Sequence, residues 1–116
     1  MPIQYNESLD LTFHALGDGT RRGMLAMLAT RGEHTAGELG KPFGISQPSA
    51  SQHLRVLERA GLLERHVEGR IHRFSLKTEA LQEAQSWIGR HREFWKGSLN
   101  RLHAYLENLD TKDADR

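Results

Sequence analysis

The sequence predicts a mainly α-helical domain that carries one small β-hairpin. Three features of its 116 residues lead there. Apolar residues recur every three or four positions over several short segments, most of them opened by a residue able to cap a helix. A single alternating stretch, LLERHVEGRIHRFSL, interrupts the helical pattern. Beyond it, apolar residues return every seven positions, at Leu81, Ile88, Trp95, Leu102 and Leu109. The length suits one domain, 1–109, and the polar stretch 110–116 reads as a disordered tail.

Taken in order, Leu9, Phe13 and Leu16 mark a first short helix, and Asp18 stands at the N-cap of a second that runs through Met24, Leu25 and Leu28 to Gly32. Thr35 and Glu38 have capping-box spacing, which starts a third helix that stops near Pro42 to Gly44. Ser46 is a good N-cap, Pro48 falls in the first turn, and Gly61 followed by Leu62 makes a left-handed C-cap with its apolar contact. The fourth helix therefore spans about Gln47 to Ala60. Only Gly44 and Ile45 separate it from the third, the tight glycine-containing connection of a helix-turn-helix. The alternating stretch folds into two strands around Glu68-Gly69, a register that sets Glu64 opposite Arg73. The last helix is expected from about Thr78 to Leu109, roughly 45 Å long. Its apolar stripe exceeds what so small a domain can cover, so it is expected to pair with a second copy of the chain.

The net charge of +1 conceals a gradient. Residues 1–20 sum to −3, 21–45 to +2, 46–78 to +3 and 79–116 to −1, so an anionic partner should approach the middle of the chain. That is where the fourth helix lies. At 100° per residue Ala50, Leu54 and Leu57 share its inner face, which leaves Pro48, Ser51, Gln52, Arg55 and Arg59 outside, with Gln47 and Ser49 at its start. Glutamine can bond bidentately to an adenine edge and arginine to guanine, while short side chains let a helix N-terminus come close to a groove. An ordinary solvated helix can also carry serine and glutamine. The company favours nucleic acid: a tight turn before the helix, and after it a hairpin with Arg65, Arg70 and Arg73. A recognition helix followed by a basic hairpin is the arrangement of a winged helix, whose wing holds phosphates or the minor groove. Arg70, at the tip and away from Glu64, is the better wing contact.

The absence of cysteine excludes disulfides, thiolate metal sites and cysteine nucleophiles. Neither a signal peptide nor an apolar run long enough for a membrane is evident, so a cytoplasmic protein that avoids the membrane is expected. Carboxylates are scattered and no phosphate loop, H-E-x-x-H or nucleophile elbow is present, which argues against an enzyme. No two of the seven histidines have i, i+3 or i, i+4 spacing. The expectation is thus no metal and no cofactor, with a zinc site bridging two last helices as the remaining route. An apolar or aromatic effector beside Trp87, Phe94 and Trp95 would be a likelier switch, although core packing also explains these rings.

The strings FHALGDGTRRGMLAML, GISQPSASQHLRVLERAGLLE, EGRIHRFSL and WIGRHREFWKGSLNRLHAYLE resemble the arsenical-resistance-repressor (ArsR) family of winged helix-turn-helix regulators. The resemblance covers about Leu9 to Leu106, and its most specific piece is Ser51 to His53, backed by Thr20-Arg21-Arg22 and by Arg55 to Leu57. It implies a cytoplasmic homodimer on double-stranded operator DNA, usually repressing, joined through the first and last helices. By motif position that points to Gln47, Ser49, Ser51 and Gln52 for DNA, to which the helical wheel adds Pro48 and Arg55 and the hairpin tip adds Arg70; the expected interface is Leu9, Phe13, Ile88, Trp95, Leu102 and Leu106. His53 matches a family residue too, but the helical wheel sets it at the edge of the core, as a hydrogen-bonding scaffold residue. Family members that sense metals through thiolates carry cysteines where this chain has GELGKPF, so that site does not exist here. The competing function is a winged-helix module that binds proteins and has no DNA affinity.

Overall fold

The computed structural model describes residues 6–114, with side chains through Leu109. Its helices begin where the chain supplies an acceptor for their first N–H groups. Asn6 accepts from the Leu9 N–H at 3.2 Å and opens α1 (Glu7–Leu16). Asp18 accepts from the Arg21 N–H at 3.0 Å and opens α2 (Gly19–Arg31). The capping box forms as expected at α3 (Ala36–Gly40): Glu38 N–H donates to the Thr35 hydroxyl at 3.3 Å, and Thr35 N–H donates to the Glu38 carboxylate at 3.0 Å. A single 3₁₀ turn, Lys41–Phe43, and a left-handed Gly44 at φ 61° then carry the chain to Ser46, the cap of α4 (Gln47–Arg59). At the other end of α4 the Gly61 N–H reaches Glu58 O and the Leu62 N–H reaches Leu57 O, the paired bonds of a Schellman cap, with Leu62 fully buried.

Two strands follow, β2 (Leu63–Glu68) and β3 (Ile71–Leu76), and β3 also pairs with a two-residue strand, β1 (His34–Thr35), between α2 and α3. The sheet order is β1-β3-β2, all antiparallel. The hairpin turns one residue later than expected, at Gly69-Arg70. Gly69 has φ 61° and takes the first central position, where glycine serves a II′ turn, whereas the sequence reading had it second, as in a I′ turn. Every cross-strand pair shifts accordingly, so Arg73 faces His66 and Glu64 faces Ser75.

The core collects one face from each of α1 to α4 and from the hairpin: Ala15, Met24, Leu25, Leu28, Leu39, Ala50, Leu54, Leu57, Leu62, Leu63 and Phe74 are buried in one cluster. On α1 the buried side is Leu9, Thr12 and Ala15, and the Thr12 hydroxyl is satisfied by donating to Ser8 O at 3.0 Å. The described chain divides into two compact units, one ending at Ala84 and the other starting at Gln85.

The expected continuous last helix is instead two, α5 (Glu79–Arg90) and α6 (Arg92–Ala114). The break falls at His91, whose Nδ1 lies 2.8 Å from Trp87 O, the carbonyl that an unbroken helix would reserve for the His91 N–H. The His91 N–H bonds Ile88 O at 3.2 Å instead, and the ring stacks on Trp87 at 4.4 Å. The backbone of α6 remains helical to Ala114, five residues beyond the expected end at Leu109. Residues 115–116 of the expected tail lie outside the described residues.

Candidate nucleic-acid interface

α4 is held by its inner face and presents its outer one. Ala50, Leu54 and Leu57 are buried, while Gln47, Pro48, Gln52, Arg55 and Arg59 are exposed and Ser49 and Ser51 half-buried. α3 comes so close to it that a Cβ on Gly40 would lie 2.9 Å from the Ala50 Cβ. Glycine is what allows that approach.

Between α4 and the wing lies a groove of about 540 Å³. Gln47, Ser51 and Arg55 line it from α4, and Arg65, Arg70 and Arg73 from the hairpin; no carboxylate is among the described residues that line it. Four guanidiniums thus face one cavity, but two are engaged elsewhere. Arg65 makes a bidentate pair with Glu58, 3.0 Å on each arm, and lies over the Phe74 ring at 5.0 Å from its centroid. Arg73 stands 4.0 Å from both Glu33 and Glu68, so it is counterbalanced, though by carboxylates other than the expected Glu64. Neither Arg55 nor Arg70 has a carboxylate partner among the described residues. The groove therefore gathers four of the seven expected contact residues, Gln47, Ser51, Arg55 and Arg70; Pro48, Ser49 and Gln52 sit on α4 outside its lining.

Behind α4 lies a contact that helical spacing alone does not reveal. Arg21 Nη1 is 3.2 Å from His53 Nδ1, and the Arg21 side chain also donates to two carbonyls of α1. The bond from the Arg21 backbone N–H, helped by the Arg21 charge, holds the Asp18 carboxyl below the ordinary aspartate value. The sequence signal was the Thr20-Arg21-Arg22 string, whose partner becomes visible only once α4 is packed beside it.

Among the interface candidates, Leu9 is buried in the single chain, and Phe13, Ile88, Trp95, Leu102 and Leu106 are exposed, as is Leu11 on α1, which the sequence reading passed over. Trp87 is half-buried, and Phe94 and Trp95 meet edge to face at 5.4 Å on exposed positions of α6. Among the described residues no three His, Asp or Glu side chains gather in a way that would hold a metal ion, and no helix is long and apolar enough to cross a membrane.

Comparison with known proteins agrees with this architecture. A helix-turn-helix domain family matches residues 16–66. The chain is 40% identical over 76 residues to the transcriptional repressor SdpR of Bacillus subtilis, covering 66% of this chain and 83% of that protein. It is 32% identical over 108 residues to an HTH-type transcriptional regulator of Mycobacterium tuberculosis, covering 93% and 94%. In three dimensions it matches the crystal structure of an ArsR family transcriptional regulator with a TM-score of 0.73 and 36% identity, over 82% of this chain and 97% of the other.

Proposed function

This chain belongs to the ArsR family of winged helix-turn-helix transcription regulators, and on that premise we propose that it is a sequence-specific DNA-binding repressor acting as a homodimer on a twofold-symmetric operator. One observation carries the DNA reading: the outer face of α4 and the wing tip bring Gln47, Ser51, Arg55 and Arg70 to one groove with no carboxylate among its lining, and the two unpaired guanidiniums are on opposite walls of it. A duplex answers that chemistry, with base edges in the major groove for the amide and hydroxyl groups and for Arg55, and a phosphate for Arg70. Gln52, exposed one position beyond Ser51, extends the reading surface, and Pro48 and Ser49 bring the helix start close to the backbone. The homodimer reading draws its support from the stripe of exposed apolar residues on α6, at Trp95, Leu99, Leu102, Leu106 and Leu109, spaced alternately four and three apart as in a coiled-coil seam. Two such chains would present their α4 helices to half-sites about one helical turn of DNA apart, some 34–36 Å. The protein works in the cytoplasm, and a small apolar or aromatic effector meeting Trp87, Phe94 and Trp95 is the form of control that its residues suit best.

Selection from a random pool of duplexes by the purified protein tests this. Enrichment of one inverted repeat is expected; recovery of unenriched sequence, or of no DNA, would sink the reading and favour a protein-binding module.

A further inference from the structure

Arg21 and His53 have no place on the DNA-facing surface, yet the fold joins them. Arg21 stands in the first turn of α2, and its side chain runs back over the end of α1, where Nε donates to Ala15 O at 2.8 Å and Nη2 to His14 O at 3.0 Å. Arg22 treats Leu16 O in the same way, through Nη1 at 2.6 Å. The last carbonyls of a helix lack partners within it and form the negative end of its dipole, so these bonds fix the guanidinium relative to α1. The remaining arm, Nη1, meets His53 Nδ1 at 3.2 Å.

That contact determines the state of the ring. A guanidinium has donors only, so in this contact Nδ1 is the acceptor and the ring proton falls on Nε2. Asp18 Oδ2, 3.8 Å from the same nitrogen, is beyond hydrogen-bond range and takes the Arg21 backbone N–H at 3.0 Å instead. His53 lies between exposed Gln52 and buried Leu54, with 19% of its side chain exposed. It is the point at which α4 is tied to the corner between α1 and α2.

We propose that Arg21 is a positioning residue for the DNA-reading helix: anchored on the carbonyls of α1, it holds His53 as the Nε2–H tautomer and so sets the rotation of α4 about its own axis. The aim of Ser51, Gln52 and Arg55 depends on that rotation, since each side chain is fixed 100° from the next. The proposal rests on the DNA reading given above.

Four variants and a spectrum test it on the intact chain. Arg21→Lys keeps the charge but loses the fork, and His53→Leu removes the acceptor. Each is expected to weaken binding to the selected operator about tenfold, with random-sequence DNA changed less than about twofold. His53→Asn returns an acceptor near the position of Nδ1 and is expected to restore most of the loss. The double variant Arg21→Lys with His53→Leu should bind no worse than the weaker single one, because both remove the same bond. Without any DNA, the ring nitrogens of His53 should show the Nε2–H tautomer in nuclear magnetic resonance and lose that preference in Arg21→Lys. Equal losses on both DNAs, a His53→Asn protein as weak as His53→Leu, additive losses, or no tautomer preference in the wild type would each overturn the proposal. Should Arg21→Lys fail to fold, the two His53 variants decide alone. Wild-type protein that selects no DNA overturns the DNA reading and this proposal together; operator affinity unchanged by the variants overturns only this one.

Discussion

An arginine already bonded to a carboxylate offers a phosphate less than one that is not, and on this criterion the arginines of α4 and the wing divide. Arg65 is held by Glu58 on both arms, while Arg55 and Arg70 lack carboxylate partners among the described residues. Arg70→Ala is therefore expected to weaken operator and random DNA alike and to lower the slope of log affinity against log salt by about one, as loss of one phosphate contact does. Gln52→Ala and Arg55→Ala, on the outer face of α4, should cost roughly 1–3 kcal/mol on the operator and little on random DNA. Fluorescence anisotropy on the two DNAs across a salt series reads both effects, and a Gln52 variant that loses equally on each would show that the residue does not read bases. At this scale the division of α4 into a buried and an outward face was legible because it needs only the fixed rotation per residue of a helix. The Glu58–Arg65 pair and the Arg21–His53 bond were not, since neither has a helical or strand period and both depend on how elements pack.

Among the elements, caps and turns carried most of the information. Asp18, Thr35 with Glu38, Ser46 and Gly61 each mark an end that the structure uses, because the chemistry of a cap is local. The misplaced hairpin turn and the missed break at His91 have a common source: each was settled by a choice between two local options. Gly69 fits either central position of a tight turn, and a histidine ring can either face solvent or take the carbonyl four residues back. β1 is too short for an alternating pattern to reveal. The α3–α4 turn makes a sharp prediction. Gly40→Ala gains at most about 1 kcal/mol of helix propensity but meets Ala50, so a net loss of roughly 1–2 kcal/mol is expected, whereas Gly37→Ala, with nothing within 4 Å, should be neutral or stabilising. Thermal unfolding of the two variants checks it, and equal midpoints would mean that α3 yields at no cost. The caps also predict a pH dependence. Backbone bonds from Arg21 and Thr35 hold the Asp18 and Glu38 carboxyls below their ordinary values of 3.8 and 4.5. A carboxyl depressed on folding adds stability above its unfolded value and loses it as pH falls through the folded one. The unfolding midpoint should thus drop as pH falls below about 4.5, less steeply in Asp18→Asn, which keeps a capping oxygen that does not titrate. A variant curve that parallels the wild type would remove Asp18 from the explanation.

For the whole molecule the question is what covers α6. Trp95, Leu99, Leu102 and Leu106 are at least half exposed in the single chain, and Leu109 is 43% exposed. Burying five such side chains is worth several kcal/mol even after discounting for imperfect packing, at about 25 cal/mol per Å² of apolar surface. Isolated exposed leucines need no explanation, but a continuous seam with alternating spacing of four and three does. A twofold partner supplies the matching seam without any other protein, because the same stripe faces itself. Sedimentation at micromolar concentration is therefore expected to give twice the 13.2 kDa chain mass. Leu102→Glu provides the discriminating variant. Leu102 is 54% exposed in one chain, so a glutamate there remains hydrated and leaves the fold of the monomer intact. Across a twofold axis it would bring two carboxylates into an apolar seam, a cost of several kcal/mol that favours separate chains. The expected product is a folded monomer with unchanged helix content and strongly reduced affinity for an inverted repeat, while its affinity for a single half-site stays near that of the wild type. A wild-type monomer at tens of micromolar, or a Leu102→Glu protein that remains dimeric, would show that this stripe is covered in some other way.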